Sequence, residues 1–198
     1  MPPSRMLPAP VLSTPRLILR LVRTKDAPVI QRIFPRWEIV RHLTHRIPWP
    51  YPPDGAAMHV AQCLEDMALG QKHHWAIIPK SGSADLIGMI DLWLDDGVSR
   101  SRRGFWLDPE FQGRRLMSEA AERVTDYAFH ELSWPRLWLA NAQDNHPSPR
   151  IKERQGAQLV DLTIGQSVGG EGPMMVWELT RKDWLARQPQ PQRKKAVA

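Results

Sequence analysis

The chain has 198 residues, 42% of them hydrophobic and 24% charged, which suits one globular domain with a sizeable core. No run approaches the ~20 apolar residues of a membrane-spanning helix, the Pro-rich start Met1–Pro10 has no apolar stretch before a cleavage site, and the one cysteine, Cys63, excludes an internal disulfide framework and a Cys-rich zinc site, so a soluble protein of the reducing cytoplasm is expected. The net charge of +6 lies at the ends, +4 over residues 1–24 and +5 over 181–198, which leaves about −3 for the body and argues against a polyanion-gripping surface there.

After a leader expected to be flexible over 1–13, Arg16–Val22 reads as a first strand. Thr24 is the expected N-cap of a short helix over Lys25–Phe34, stopped by Pro35. The breaker-rich Ile47–Pro53 reads as a loop over the active face, and Asp54 as the cap of a helix reaching Leu69, where Gly70 ends it. Strands are expected at His74–Ile78 and Leu86–Leu94, joined by a loop of hairpin composition, and at Arg103–Leu107. A helical pattern runs from Arg114 to Leu132, with Ala120, Val124, Tyr127, Ala128 and Leu132 on one side, and Pro135 bars its continuation. Then come a strand at Arg136–Ala140, a short helix opening near Pro147 or Pro149 and ending before Gly156, and strands at Gln158–Ile164 and Met174–Leu179. Residues 186–198 read as a disordered basic tail, leaving 14–185 as one α/β domain with a mixed sheet.

The strand ending at Leu107, the loop Gln112–Ser118 and the long helix after it carry the chemistry. A helix N-terminus presents unpaired N–H groups and partial positive charge, so the loop can hold a phosphate or pyrophosphate, with Arg114 and Arg115 adding side-chain charge; the plainer alternative is a basic surface turn. No His, Cys and carboxylate spacing points to a metal site.

The run Gly104-Phe-Trp-Leu-Asp-Pro-Glu-Phe-Gln-Gly-Arg-Arg-Leu-Met-Ser-Glu-Ala120 resembles the acetyl-CoA signature of the GNAT acetyltransferases, most of all the branch of the ribosomal-protein N-terminal acetyltransferases RimJ and RimL. Thr14-Pro-Arg-Leu-Ile-Leu-Arg20 is similar to that branch's opening strand, and Asn145-His-Pro-Ser-Pro-Arg-Ile-Lys-Glu-Arg-Gln-Gly156 to its N-x-x-S-x-R helix. The resemblance spans roughly residues 14 to 180 and implies a mostly antiparallel seven-stranded sheet, splayed in the middle and flanked by helices, with acetyl-CoA in the gap. It implies that Trp106 and Leu107 pair with the pantetheine arm. The amides of Gln112, Gly113, Arg114, Arg115, Leu116, Met117 and Ser118 would then hold the pyrophosphate. Asn145 would contact the pantetheine and Arg150 the nucleotide end; the alternatives are a turn or cap role for Asn145 and an ion pair for Arg150.

Arg115 stands where the family usually has its second glycine, so it either contacts phosphate in compensation or impairs cofactor binding. Lys152 stands where many members carry a catalytic tyrosine, and the only tyrosines here are Tyr51 and Tyr127. Ser148 matches the branch's thiolate-side serine, with a helix-start hydroxyl as the alternative role. The ribosomal relatives' carboxylate base would fall near Ser167, Asp161 is a loose substitute, and Asp91 faces either the cleft as a base acting through water or the solvent. Trp37, Trp49 and Tyr51 either wall the acceptor pocket or simply pack. The expected activity is direct transfer of acetyl from acetyl-CoA to an amine, a protein N-terminus or a small molecule, with no metal. A homodimer and contact of the basic ends with RNA or the ribosome stay open, and the other readings are an acyl-CoA-binding module that no longer catalyses and an RNA-associated protein.

Overall fold

The computed structural model describes residues 8–82, 84–94 and 102–187; most of the leader and all but the first residues of the expected tail lie outside them. Eight strands are described in two antiparallel sheets. β1 (Leu12–Ser13), β2 (Leu17–Leu21), β3 (Lys72–Pro79), β4 (Gly88–Trp93) and β5 (Arg103–Leu107) follow one another in one sheet. β6 (Arg136–Ala142), β7 (Gln158–Ser167) and β8 (Gly170–Thr180) form the second, in the order β6-β8-β7. The strand beyond the expected seven is β1, drawn from what reads in the sequence as leader: its two residues pair with Ile18 and Leu19, and the Trp75 indole N–H donates to the Pro10 carbonyl at 2.9 Å.

The helices are α1 (Ala27–Ile33), α2 (Trp37–Val40), α3 (Gly55–Ala68), α4 (Leu116–Asp126), α5 (Pro147–Gln155) and α6 (Arg181–Arg187). Thr24 does not cap α1. A 3₁₀ turn, Thr24–Asp26, precedes that helix, and its start is fixed by Asp26, whose carboxylate accepts the Arg23 N–H at 2.8 Å and both arms of the Arg20 guanidinium at 2.7 Å. Asp54 sits at the start of α3 without a side-chain cap bond; there Gln31 accepts the Ala56 N–H at 3.0 Å and donates to the Pro52 carbonyl at 3.0 Å. A tertiary contact thus does the work assigned to a local cap. The helix expected over Arg114–Leu132 begins two residues later and widens into a π-helical turn over Tyr127–Glu131.

Alternation along the strands divides the core in two. Leu17, Leu19, Trp75, Ile77, Ile90, Leu92 and Leu107 pack against α4, whereas Ala76, Ile78, Met89 and Trp106 pack against α1, α2 and α3. β3 is therefore buried on both faces from His73 to Ile78 and reads as a continuous run. No described helix is long and apolar enough to cross a membrane.

The two sheets meet where β5 leaves β6. The Arg102 N–H donates to the Trp138 carbonyl at 2.8 Å, and past that point β5 and β6 belong to separate sheets, linked in sequence through α4. Arg103, almost fully buried on β5, ties three elements together: Nη1 donates to the Ala121 carbonyl (3.2 Å) and Thr125 Oγ1 (2.5 Å) on α4, and Nη2 to Gln155 Oε1 (2.8 Å) on α5. At the other end of the sheet Glu119 on α4 accepts from Thr14 Oγ1 (2.5 Å), the Arg16 N–H (2.8 Å) and Arg16 Nε (2.7 Å). The conspicuous Thr14 and Arg16 thus serve to seat the first turn of α4.

Glu119→Ala removes three bonds, two of them to a charged partner or through a mostly buried hydroxyl. It is expected to cost about 2 kcal/mol of unfolding free energy, read as a lower urea midpoint at unchanged slope, with Glu119→Gln losing less because it keeps an acceptor.

Candidate functional site

The residues Gln112–Ser118 form a turn into α4 built on two left-handed backbones. Gly113 lies at φ 75° and Arg115, the N-cap of α4, at φ 61°, ψ 16°. The conformation a glycine would supply is kept by an arginine, at a cost of roughly 1 kcal/mol. No side chain caps α4, so the first-turn N–H groups of Leu116, Met117 and Ser118 carry no cap partner and face the turn with the positive end of the helix dipole. Leu116 and Met117 bury their side chains in the core, which anchors the amides, while Gln112, Gly113, Arg114 and Arg115 are exposed. The Gln112 side chain donates to the Leu107 carbonyl at 3.0 Å, and the Arg114 guanidinium lies 5.4 Å from the Phe111 ring centre. Successive amides around left-handed residues form a concave anion receptor.

The groove between α4 and α5 continues from this turn. It encloses about 370 Å³ and is lined by Arg16, Arg115, Ser118, Ile151 and Arg154 among others. Three arginines meet there, and of the two acids on its wall Glu119 is already engaged by Arg16.

Trp106 and Leu107 lie at the end of β5, both buried, on opposite faces: Trp106 meets Phe34 edge-on at 5.2 Å, and Leu107 joins the α4 core. Asn145 is half-buried in the turn before α5, where its carbonyl accepts the Ser148 N–H at 3.1 Å. Arg150 is exposed on α5. Ser148 is buried, and its hydroxyl accepts a 2.7 Å bond from Lys152 Nζ one turn on.

Asp91 and Ser148 lie on different sides of the first sheet. Asp91 projects from β4 toward α3, while Lys152, which holds Ser148, lies over Phe105 on the α4 side of β5. Asp91 is half-buried and accepts from His74 Nδ1 at 2.8 Å, so it does not point freely into solvent. The residue opposite it on β5 is Gly104, and the Trp93 ring lies over that glycine, 3.3 Å from where a Cβ would stand, with Asp91 Oδ2 at 3.8 Å. His74 also lies 3.4 Å from Asp66, and Cys63 on α3 sits 3.5 Å from His59 Nε2. Burial would lower the His74 pKa, but the Asp91 carboxylate and Cys63 raise it to about 10. Burial likewise opposes the Cys63 thiolate, yet the two histidines bring its pKa below the usual thiol value. Among the described residues no cluster has the makings of a metal site.

The sequence reading left Arg103 and Glu119 without roles and gave Lys152 only a negative one. Burial pushes Arg103 down to about 9 and lowers Lys152 well below an ordinary lysine, with the Arg103 charge adding to the effect on Lys152. The only signal in the sequence was the i, i+4 spacing of Ser148 and Lys152.

Residues 16–158 match the acetyltransferase (GNAT) domain family, and the chain belongs to that family. It is 29% identical over 108 residues to "Probable N-acetyltransferase YjcK" of Bacillus subtilis (strain 168), a match covering 54% of this chain and 59% of YjcK, so it spans less than two thirds of that relative. Its fold is similar to that of the ribosomal-protein-S5-alanine acetyltransferase of Vibrio fischeri, with a TM-score of 0.74 at 18% identity over 91% of this chain and 100% of the other. It is also similar to that of RimL, a ribosomal L7/L12 alpha-N-protein acetyltransferase in complex with coenzyme A, with a TM-score of 0.73 at 16% identity over 86% and 98%.

Arg115→Gly is expected to raise stability by about 1 kcal/mol, read as a higher melting temperature, because glycine adopts this backbone without strain. For the His74 and Asp91 pair, a folded pKa raised above the unfolded value near 6.5 gives stability that is fully present below pH 6.5 and lost as pH rises through about 10. Asp91→Asn is therefore expected to destabilise the protein by roughly 3 kcal/mol at pH 6, with the gap to wild type narrowing toward pH 10, and to lower the His74 imidazole pKa in an NMR titration.

Proposed function

We propose that this GNAT-family chain transfers the acetyl group of acetyl-CoA to an amine by direct attack in a ternary complex. The observation that carries the reading is the turn at Gly113 and Arg115: although glycine is replaced, the left-handed backbone persists, and the first-turn amides of Leu116–Ser118 carry no side-chain cap. That is the geometry a pyrophosphate needs. The same observation weighs against a chain that has lost its cofactor site.

The Gln112 N–H is already given to the Pro109 carbonyl at 3.2 Å, so the expected amide set narrows to Gly113–Ser118, which bind the pyrophosphate, and Arg115 adds its guanidinium from the exposed side. Arg115 and Arg154, the groove arginines not paired with Glu119, suit the remaining phosphate charge of the nucleotide end, with Arg150 on the same helix as Arg154. Trp106 and Leu107 offer the edge of β5 to the pantetheine arm as an added strand would, since β6 has parted from it there; Asn145 holds the arm from the other wall. Ser148 donates to the departing sulfur. Asp91 takes up the proton of the acceptor amine through water, and its bond to His74 fixes its direction.

The acceptor is an amine, on a protein N-terminus or a small molecule. The ribosomal-protein acetyltransferases among the structural neighbours favour a protein N-terminus. Trp37 on α2 and Trp49 in the Ile47–Pro53 loop, both exposed and 5.5 Å apart, supply an apolar wall for the residues after that amine.

Acetyl-CoA at a hundred times its Kd is expected to stabilise the protein by about 2.7 kcal/mol, seen as a rise in melting temperature. Arg115→Glu is expected to weaken that binding more than Arg115→Gly. With acetyl-CoA and a panel of peptides and small amines followed by mass spectrometry, Ser148→Ala is expected to lower kcat by ~10 to 100-fold with little change in acetyl-CoA affinity. No thermal shift at millimolar acetyl-CoA would overturn the reading. Stabilisation without acetylation of any amine would indicate an acyl-CoA-binding module.

A further inference from the structure

Lys152 is a buried side-chain amine without an anion beside it among the described residues. It is 2% exposed, its Nζ lies 2.7 Å from Ser148 Oγ and 5.9 Å from the centre of the Phe105 ring, and among the described residues no carboxylate pairs with it. The charged group that faces it is another cation, Arg103 on β5, whose bonds go to the neutral acceptors Ala121, Thr125 and Gln155. Burying an uncompensated ammonium is expensive, and an apolar side chain of the same length would suit this buried helix face better. Stability does not explain the residue.

The hydrogen bond has a direction that matters. An ammonium only donates, so Ser148 accepts from Lys152 with a lone pair and its own hydroxyl proton must point elsewhere. Lys152 lies between α5, which carries it, and Phe105 on β5, the strand that borders the gap. We propose that Lys152 is the proton donor behind Ser148, which it orients and recharges as the thioester sulfur departs. This rests on the acetyl transfer proposed above.

In that step the bond between the acetyl carbon and sulfur breaks and its electron pair stays on sulfur. The Ser148 Oγ–H proton passes to sulfur, a Lys152 Nζ proton passes to Oγ, and Lys152 is left as a neutral amine. It regains a proton from solvent, the stoichiometric source being the one released by the acceptor amine. Burial and the Arg103 charge suit the task, because both make the ammonium a readier proton donor than an ordinary lysine.

The test follows the thiol of bound coenzyme A, without any acceptor. CoA is titrated on the wild-type protein and on Lys152→Met, with thiolate read by its ultraviolet absorbance and desulfo-CoA as the blank. The wild type is expected to hold the bound thiol about one pKa unit lower, a tenfold difference in acidity, than Lys152→Met. Lys152→Gln, which keeps a donor to Ser148 but has no proton to give, is expected to behave like the methionine variant. Both variants are expected to melt no lower than wild type, since a buried charge has been removed, so a lost effect is not lost folding. Equal thiol pKa values in the wild type and a folded variant that both bind CoA would overturn the role of Lys152 and leave the proposed function standing. Failure of CoA to bind the wild type would overturn both.

Discussion

The site in this protein depends on the parting of two strands. β5 and β6 share one backbone bond, from Arg102 to Trp138, and then diverge into separate sheets. Strand edges that are neither paired nor covered are costly, so something must hold the sheets apart and together at once. Arg103 does this from inside, bonding β5 to α4 and α5 through carbonyl, hydroxyl and amide acceptors. With α4 pinned there and at Glu119, its N-terminus can only open beside the free end of β5. The anion-receiving turn and the gap are thus consequences of one arrangement.

The charges follow the same division. On the α3 side of the sheet the titratable groups are mutually compensating: Asp91 and Asp66 flank His74, and His59 flanks Cys63. On the α5 side the buried groups Arg103 and Lys152 are both cationic and share no carboxylate among the described residues.

Much of this was legible in the chain. The alternation of β2 and the apolar runs of β3 and β4 announced strands, Gly70 and Gly156 ended their helices, and Pro35 and Pro135 stopped theirs. The family resemblance marked Gln112–Ser118 and Asn145–Gly156, and in the structure these are the turn into α4 and the turn and helix of α5. Local capping was less legible: Thr24 and Asp54 have the right chemistry in the right place, but Asp26 and Gln31 made the bonds, because Arg20 and Pro52 arrive from elsewhere in the fold to hold them.

What the sequence by itself determined is therefore periodicity, breakers and the order of motifs, since these act over a few residues and need no partner to be recognised. Whether Asp91 met solvent or His74, whether Arg115 kept a glycine's backbone, and whether Lys152 was a surface charge or a buried one were decided by tertiary structure alone. Each depends on which surfaces close over a side chain, and the desolvation and hydrogen bonding that follow are set by residues far away in the chain: His74 for Asp91, and Phe105 and Arg103 for Lys152.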